Sequence, residues 1–355
     1  MLDVEDLLKR MAEERASDMH VKVGNSPIMR IDNQITFLDD YPKLTPEDTF
    51  KIAYDLMNEE QRRFFEQRDE LDFSFGLPGV ARFRVNGFRS RGSVQLAVRI
   101  VPYDILDLDS LHLPKTVTKL VAQRKGLVLV TGPTGSGKST SLAAIVNYIN
   151  LTRRWHVITI EDPIEFIHKD NQSIITQREV GMDSKDFNTA LRNAFREDPD
   201  VVMIGEMRDP EVLHTALVAA ETGHLVLGTL HTSDAVSSIS RYVYAFPDYM
   251  QKPIRNQLAS ALQGILAMKL IPQAKSRGLV PAVEIMVATP YIRELIMEEK
   301  ANQILEAMEK GKHQGMQTFD MALAELVDNG LITYEDALAS ATSPKDFARL
   351  RKGIS

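Results

Sequence analysis

Residues 132–139 read GPTGSGKS and constrain the fold of this chain more than any other segment. They match the pattern G-x-x-x-x-G-K-[ST]. An apolar run precedes them at 127–130, and helical amphipathic spacing follows from Ser141 to Ile149. In this strand–loop–helix context the glycines let successive backbone N–H groups point at an anion, beside the positive end of a helix dipole. The segment therefore predicts a nucleoside-triphosphate site in an α/β domain.

Individual residues of this phosphate loop (132–140) have distinct expected roles. Lys138 should reach the β- and γ-phosphates, and the Ser139 hydroxyl should hold Mg²⁺. The residues that we expect to contact the nucleotide are Gly132, Pro133, Thr134, Gly135, Ser136, Gly137, Lys138, Ser139 and Thr140.

Downstream of the phosphate loop the chain alternates strand, turn and helix, which is typical of a parallel sheet. Fully apolar runs suit strands that helices bury on both faces, and they occur at 127–130, 157–160, 201–204 and 225–227. After about Pro290 the pattern predicts helices at Ile304–Met308, at Phe319–Val327 and after Thr333, an N-cap with Asp336 three residues on.

The N-terminal part has a different pattern, which predicts a small α+β domain. We expect a helix and a short strand near the start, and a helix that begins at Pro46 with Thr45 as its N-cap. Period-two alternation at 72–75, 82–85 and 94–98 then predicts an antiparallel sheet. We place the domains at 1–101 (N-terminal), 102–115 (linker), 116–290 (α/β core) and 291–355 (C-terminal helices).

Two predicted strands of the core end in acids, Glu161 and Glu206. In an open α/β sheet the chemistry lies beyond the carboxyl ends of the strands. Hydrolysis needs one group to orient water and another to hold the hydration shell of the metal. Gly205 stands where many phosphate-loop enzymes carry Asp, so we expect Glu206 to reach Mg²⁺ through water. An ordinary surface or capping role is the alternative for either acid.

Two histidines bracket the strand at 225–229. His231 follows its carboxyl end and could sense the γ-phosphate by hydrogen bonding. His224 precedes the strand, and a structural role is equally compatible with its position. We expect no metal site here, because no further ligands occur at suitable spacing.

Composition excludes several classes of protein. The 355 residues include no cysteine, which removes disulfides, thiolate metal sites and cysteine nucleophiles. A formal charge of −7 disfavours a protein that coats nucleic acid or anionic lipid. Apolar runs are far shorter than the roughly 18 residues that span a bilayer, and the N-terminus does not read as a signal peptide. We expect a soluble, cytoplasmic protein.

One window contradicts the acidic trend. Between Phe73 and Tyr103 there is no Asp or Glu, yet Arg82, Arg84, Arg89, Arg91 and Arg99 lie within it. The window predicts either a solvated arginine face or a surface for a multiply charged anion, which suits the donor geometry of arginine.

Four segments together resemble the Walker A, Asp box, Walker B and His box of secretion-superfamily ATPases. They are GPTGSGKST at 132–140, TIEDPIEF at 159–166, DPDVVMIGEMRD at 198–209 and AAETGHLVLGTLHT at 219–232. The strings ASDMH at 16–20, ARFRVN at 81–86 and GMQTFDMALAELV at 315–327 extend the resemblance along nearly the whole chain. Within the superfamily the chain looks like the PilT-type twitching-motility retraction ATPases of type IV pili.

This resemblance implies a PAS-like domain at 1–101 and a RecA-like core at 116–290, assembled as a homohexamer that uses ATP and Mg²⁺. It also implies a cytoplasmic motor, peripheral at the inner-membrane face, that hydrolyses ATP to retract pili. Its partner would be an inner-membrane platform protein, and it would touch the membrane only through protein partners. No nucleic-acid partner is expected.

The resemblance also offers a role for the acid-free window. In such rings the N-terminal domain of one subunit covers the nucleotide of the next, so Arg82, Arg84 and Arg91 would act in trans. Arg192 and Arg196 would line the approach to the nucleotide from the core. An arginine on a transferring phosphoryl group can raise the rate about 10³–10⁵-fold, so ring assembly would be a condition of activity.

Pilus-extension and type II secretion ATPases belong to the same superfamily. They usually carry a long extra N-terminal region and a four-cysteine zinc site, whereas this chain has about 110 residues before its core and IPQAKSRGLVP at 271–281. Both differences favour retraction. The retraction signature is close to AIRNLIRE, and residues 291–298 read YIRELIME. Tyr291, Glu294 and Met297 depart from it, which leaves an accessory retraction role open.

The sequence disfavours two other functions. A RecA-like nucleic-acid translocase is disfavoured by the acidic charge and by the lack of a basic stripe outside the arginine window. A regulatory ATP-binding module without turnover is disfavoured by the presence of both Glu161 and Glu206.

Overall fold

Each of two β-sheets organises its own part of the chain. The computed structural model describes residues 3–31, 34–101, 105–275, 278–345 and 347–348. The chain divides into a first unit, Met1–Asp104 with Glu165–Ile167, and a second unit, Ile105–Ile164 with His168–Ser355. Residues 102–104 of the predicted linker, and residues 346 and 349–355 of the predicted C-terminal region, lie outside the described residues.

The first unit contains a six-stranded antiparallel sheet in the order β3-β2-β1-β6-β5-β4. Its elements are α1 (Val4–Glu13), β1 (Asp18–Val21), β2 (Ile28–Ile31), β3 (Gln34–Phe37), α2 (Pro46–Leu56), α3 (Glu59–Arg68), β4 (Glu70–Leu77), β5 (Ala81–Ser90) and β6 (Ser93–Val101). Their apolar side chains form one core, in which Leu7 and Leu8 of α1 and Phe83 and Val85 of β5 are buried.

The structure confirms the helices and strands that were predicted for this unit, and it contains two further strands and one further helix. Thr45 caps α2 in a reciprocal capping box with Asp48, as the Thr-Pro signal indicated. The three alternating segments form β4, β5 and β6. The strands β2 and β3 and the helix α3 were not predicted. Helix α3 has a single buried residue, Phe65, and therefore lacks the apolar periodicity that identifies a helix.

The second unit contains a seven-stranded sheet in the order β13-β12-β7-β11-β10-β8-β9, which is parallel except for the β12–β13 hairpin. Its strands are β7 (Gly126–Thr131), β8 (His156–Glu161), β9 (Ile174–Glu179), β10 (Val201–Ile204), β11 (Leu225–Leu230), β12 (Leu262–Pro272) and β13 (Leu279–Val287). Its helices are α4 (Thr116–Leu120), α5 (Lys138–Thr152), α6 (Phe187–Ala194), α7 (Pro210–Thr222), α8 (Ala235–Tyr244), α9 (Asp248–Ala261), α10 (Pro290–Met297), α11 (Ala301–Lys310), α12 (Phe319–Asp328) and α13 (Tyr334–Ser340).

The four predicted parallel strands are β7, β8, β10 and β11, and each is buried on both faces as its apolar run indicated. Strands β9, β12 and β13 were not predicted. The three predicted C-terminal helices are α11, α12 and α13, and a fourth apolar cluster packs α12 against β12 and β13. Among the described residues, no helix is both long and apolar enough to cross a membrane. The mixed α/β class predicted from the sequence is confirmed.

Candidate active site

The candidate site lies at the carboxyl edge of the seven-stranded sheet. Strands β7, β11, β10 and β8 are neighbours in that order and run parallel in register, so their carboxyl ends meet at one edge. The phosphate loop leaves β7, His231 follows β11, Glu206 follows β10 and Glu161 ends β8. With strands about 4.8 Å apart, β11, β10 and β8 lie about 5, 10 and 14 Å from β7. The sequence therefore correctly predicted that these side chains share an edge.

Glycines shape the phosphate loop. Gly132, Gly135 and Gly137 have φ values of 150°, 79° and 92°, a region that side chains rarely adopt. A Cβ atom on Gly132 would lie 2.4 Å from Ser136 Oγ and 2.7 Å from the Met268 carbonyl oxygen. The loop can therefore close onto itself only with glycine at residue 132.

The polar groups of the loop fit a phosphate. The Lys138 ammonium donates to the carbonyl oxygens of Gly132 (2.9 Å) and Pro133 (3.0 Å), so the loop itself holds this cation at its centre. The buried Ser136 hydroxyl has no hydrogen-bond partner among the residues that the structure describes. Ser139 is exposed in the first turn of α5. A helix N-terminus, a cation and an unsatisfied hydroxyl converge here, which is the donor set that an oxyanion requires.

A cavity of about 500 Å³ opens beside this loop. Its walls are residues 133–136 of the loop, residues 269–271 of β12 and residues 339–341 at the end of α13. The C-terminal helices therefore reach the edge of the candidate nucleotide site, which the sequence did not reveal.

Glu161 is oriented through one of its oxygens. The Thr159 hydroxyl donates to Oε1 over 2.6 Å, and the Gln177 side-chain amide donates to the same atom over 3.1 Å. Gln177 faces Thr159 across the parallel β8–β9 pair. The side-chain oxygen of Gln177, Oε1, accepts from the His168 backbone N–H at 2.8 Å. Glu161 is only 9% exposed, so these bonds fix its carboxylate.

Glu206 and His231 form a pair on the neighbouring loops. His231 Nε2 lies 2.6 Å from Glu206 Oε1, and the Arg208 guanidinium contacts the same oxygen. Gly205 is closely packed, since a Cβ atom there would lie 3.1 Å from the Ile160 carbonyl oxygen.

His224 and Arg196 lie away from this edge. Nδ1 of His224 faces the Ala219 carbonyl oxygen at 3.2 Å, before the amino end of β11, which is a structural contact. Arg196 precedes Glu197, whose carbonyl oxygen lies 3.0 Å from Nδ1 of His156 at the start of β8. The six residues of β8 span about 17 Å, and Arg196 lies near the amino end of that strand. The structure therefore does not bring Arg196 to the phosphate loop of its own chain. Arg192 pairs with Glu211 in the first turn of α7.

The arginine window forms two separate groups in the first unit. Arg82 and Arg84 lie near the start of β5, on the face opposite the buried Phe83 and Val85. Arg91 lies in the turn between β5 and β6, seven residues after Arg84, and the six strand steps from Arg84 to Ser90 alone span about 20 Å. The structure therefore does not gather the three predicted catalytic arginines into one cluster. Two other residues of the window have acidic partners, Arg89 with Asp69 at 2.6 Å and Arg99 with Asp18 at 2.9 Å.

Several residues of the site were missed by sequence reasoning. Thr159 could have been found, because residues two apart on a strand share a face and Thr159 is two residues before Glu161. Gln177 gave no signal, since β9 was not recognised and its register with β8 cannot be read from the chain. The contribution of Lys269 and Ser340 to the wall of the cavity depends on tertiary packing alone.

The chain is similar to known proteins over nearly its whole length. The profile of the family described as type II/IV secretion system protein matches residues 2–279. The type IV pilus retraction ATPase PilT of Pseudomonas aeruginosa is 44% identical over 98% of this chain and 100% of that protein. The type IV pilus ATPase PilU of the same organism is 40% identical over 99% of this chain and 92% of that protein.

A solved structure agrees with the fold described above. The crystal structure of the pilus retraction motor PilT with bound ADP has a TM-score of 0.91 to this chain at 48% sequence identity. The match covers 98% of this chain and all of that one.

Proposed function

The chain belongs to the type II/IV secretion system protein family, and we propose that it is the ATPase that powers retraction of type IV pili. The observation that carries this conclusion is its end-to-end similarity to the retraction ATPase PilT, at 44% identity over 98% of the chain. The nucleotide site supports it, because the phosphate loop and two carboxylates share the carboxyl edge of the parallel sheet. A relative of the same fold holds ADP.

Within this function we assign roles to the residues of the site. Lys138 would leave the loop carbonyls and bind the β- and γ-phosphates, while the loop N–H groups and Ser136 hold the remaining oxygens. Glu161, fixed by Thr159 and Gln177, would orient the attacking water. His231 would hydrogen-bond the γ-phosphate and report its presence to Glu206.

Ser139 and Glu206 are the residues that would hold Mg²⁺. The exposed hydroxyl of Ser139 is next to Lys138, and Glu206 is about two strand spacings from β7, which suits contact through water. When bound, the ion neutralises charge that develops on the phosphate oxygens.

We also propose a homohexameric ring with shared sites. Arg82 and Arg84 lie on the face of β5 opposite the buried Phe83 and Val85, and the Arg84 side chain is exposed. These guanidinium groups would stabilise the triphosphate of the neighbouring subunit. Because Arg91 lies about 20 Å from Arg84 along the hairpin, only one of the two groups could contact a given γ-phosphate.

The proposed setting is the cytoplasmic face of the inner membrane. There the ring would act on a membrane platform protein, and it would contact the membrane only through protein partners. The PAS-like N-terminal domain and the RecA-like core would move against each other as nucleotide binds and is hydrolysed.

An accessory retraction role is the second candidate. The residues that depart from the retraction signature, Tyr291, Glu294 and Met297, are all exposed on α10, whereas Ile292, Leu295 and Ile296 are buried. The helix is therefore retained while the surface that it presents is altered. Similarity to PilU, at 40% identity, fits this alternative as well.

Purified protein tests the proposal directly. The wild-type chain should assemble into rings and hydrolyse ATP only with Mg²⁺, and Lys138→Ala should abolish turnover. Rings that do not hydrolyse ATP, or hydrolysis unaffected by Lys138→Ala, would overturn the assignment. A strain that retracts pili weakly with this chain alone, but normally beside a second retraction ATPase, would favour the accessory role.

A further inference from the structure

A carboxylate outside the hydrolytic machinery joins two helices of the second unit. Glu284 lies on β13 and is 3% exposed. Its Oε1 accepts from the backbone N–H of Ala235 at 2.8 Å, and its Oε2 accepts from that of Phe319 at 3.4 Å. Ala235 is the first residue of α8, and Phe319 is the first residue of α12. One buried side chain therefore holds the N-termini of two helices that are far apart in sequence.

Helix α8 is connected to the candidate nucleotide site from both sides. It begins four residues after His231, and the Thr232 and Ser238 hydroxyl groups lie 2.6 Å apart. The Ser238 hydroxyl also lies 3.3 Å from the hydroxyl of Thr131, the last residue of β7 before the phosphate loop. Thr131 and Ser238 are both fully buried. A shift of His231 or of the phosphate loop therefore reaches α8 through these two hydroxyl contacts.

Helix α12 belongs to the C-terminal region. Phe319 and Leu323 are buried in the apolar cluster formed with β12 and β13. The Lys269 ammonium lies 4.3 Å from the centre of the Phe319 ring and donates to the Ser340 carbonyl oxygen at 3.3 Å. Since Lys269 and Ser340 also line the cavity beside the phosphate loop, α12 and α13 form one packed group at the edge of the site.

Burial of the Glu284 carboxylate costs free energy of folding, which indicates that this side chain has a role beyond packing. Desolvation raises the pKa of Glu284 to about 7, and the nearby charge of Asp234 also raises it. The two backbone N–H donors and the Lys269 ammonium act in the opposite direction. An apolar residue would pack here without that cost, but it could not accept hydrogen bonds from two helix N-termini.

We propose that Glu284 is a positioning residue that transmits the nucleotide state of the His231 loop, through α8, to α12 and the C-terminal helices. The proposal rests on the proposed function, because it presumes that the phosphate loop binds nucleotide. Coupling of this kind travels through rigid elements and buried hydrogen-bond networks and is reciprocal between the two ends. The position of α12 therefore influences nucleotide turnover, and nucleotide binding influences α12.

Hydrogen exchange of the full-length protein tests this coupling. We would compare wild type, Glu284→Gln and Asp320→Asn, each without nucleotide and with Mg²⁺ and a non-hydrolysable ATP analogue that keeps the γ-phosphate. Glutamine keeps the shape of the side chain but replaces one carboxylate oxygen with an NH₂ group. That NH₂ group cannot accept a hydrogen bond from the backbone N–H of Ala235 or Phe319 that it would face. Asp320→Asn is the matched control, because it removes a carboxylate from the first turn of α12 that accepts from the Thr342 N–H and does not contact α8.

In wild type and in Asp320→Asn, nucleotide should slow exchange both in the phosphate loop and at 319–323. In Glu284→Gln the loop should still be protected, while the response at 319–323 is lost. An equal response in Glu284→Gln, or no response at 319–323 in wild type, would overturn the proposal. Absence of protection in the phosphate loop would instead contradict the proposed function.

Kinetics separates coupling from a folding defect. With the thermal midpoint of each variant measured beside wild type, we expect Glu284→Gln to lower kcat at least about fivefold with the KM for ATP changed less than about twofold. Glu284→Asp keeps the charge but shortens the side chain, so its kcat should lie between that of Glu284→Gln and that of wild type. A kcat that follows only the thermal midpoint, with no recovery in Glu284→Asp, would reduce Glu284 to a structural residue and refute the proposal.

Discussion

The Nε2 atom of His231 lies 2.6 Å from Oε1 of Glu206, which joins the loop after β11 to the loop after β10. The Arg208 guanidinium contacts the same oxygen. A histidine drawn towards a γ-phosphate would therefore alter the environment of the carboxylate that we assign to the hydrated metal. In the function that we propose, this pair would connect the sensing of nucleotide to the preparation of hydrolysis.

Replacement of His231 should affect turnover more than binding. For His231→Ala we expect kcat to fall about 10²-fold, the typical loss when one donor to a reacting oxyanion is removed, with the Kd for ADP within about threefold of wild type. Steady-state kinetics and titration with a fluorescent nucleotide measure the two quantities. His224→Ala, which removes the contact with Ala219 at the other edge of the sheet, is the control. A raised KM at unchanged kcat would refute the role of His231.

Orientation of Glu161 should depend on Gln177. Gln177→Leu removes the side-chain amide that donates to Oε1 of Glu161, and we expect kcat to fall about tenfold without loss of nucleotide binding. Gln172→Leu removes an exposed amide that bonds only to the Leu151 carbonyl oxygen among the hydrogen bonds described for it, and it should leave kcat unchanged. Equal kinetics of the two variants would show that Gln177 does not orient the carboxylate.

The phosphate loop should not tolerate a methyl group at residue 132. Gly132→Ala places a Cβ atom 2.4 Å from Ser136 Oγ, so the loop must open and the Kd for ADP should rise at least about tenfold. Gly76→Ala, where a Cβ meets no atom within 4 Å, is the control. The measurement is calorimetric titration of ADP. Tight binding by Gly132→Ala would contradict the described loop geometry.

Arginines that act in trans should complement in mixed rings. Arg84→Ala and Lys138→Ala should each be inactive, and a mixture of the two should regain part of the activity, because some interfaces then combine two intact halves. Arg89→Ala, which removes the ion pair with Asp69, should keep its own activity and serves as control. Since Arg84 and Arg91 are about 20 Å apart, we expect only one of them to show this behaviour. Additive loss without complementation would place the arginines outside the site.

Stability should depend on the protonation of Glu284. Burial raises its pKa to about 7 from 4.5, so the folded chain binds this proton more tightly than the unfolded chain does. Protonated Glu284 makes its full contribution to the free energy of unfolding below pH 4.5, and this contribution is lost as the pH rises through 7. The loss is about 3 kcal/mol at roughly 1.4 kcal/mol per pKa unit.

Denaturant unfolding of wild type and Glu284→Gln tests this dependence, with the single tryptophan, Trp155, reporting on the second unit. The difference in free energy of unfolding between the two proteins should become less favourable to wild type between pH 4.5 and 7. Asp234 and Lys269 face the same carboxylate and modulate the midpoint in opposite directions. A difference that is constant over this range would disprove the assigned pKa.

Sequence reasoning found the parts of the site whose chemistry is local. The phosphate loop was predicted because glycine spacing and a helix start are written in consecutive residues. Glu161, Glu206 and His231 were placed together because parallel strands end at one edge, so their strand ends sufficed. Thr45 and Thr333 caps were identified for the same local reason.

Contacts that depend on register or packing could not be predicted. Gln177 meets Glu161 only because β9 pairs with β8 in one register, and Glu284 meets Ala235 and Phe319 only in the folded core. The spacing of the arginine window was also misleading, since a hairpin carries Arg91 far from Arg84. Charge composition identified the window but could not show its division into two groups.

Fluorescence microscopy of labelled pili in living cells tests the central claim most directly. In a strain whose only copy of this chain carries Lys138→Ala, we predict pili that extend normally and then do not retract, with wild-type protein restoring retraction. Cells without surface pili would indicate an extension motor. Pili that retract at the wild-type frequency and speed would contradict the account.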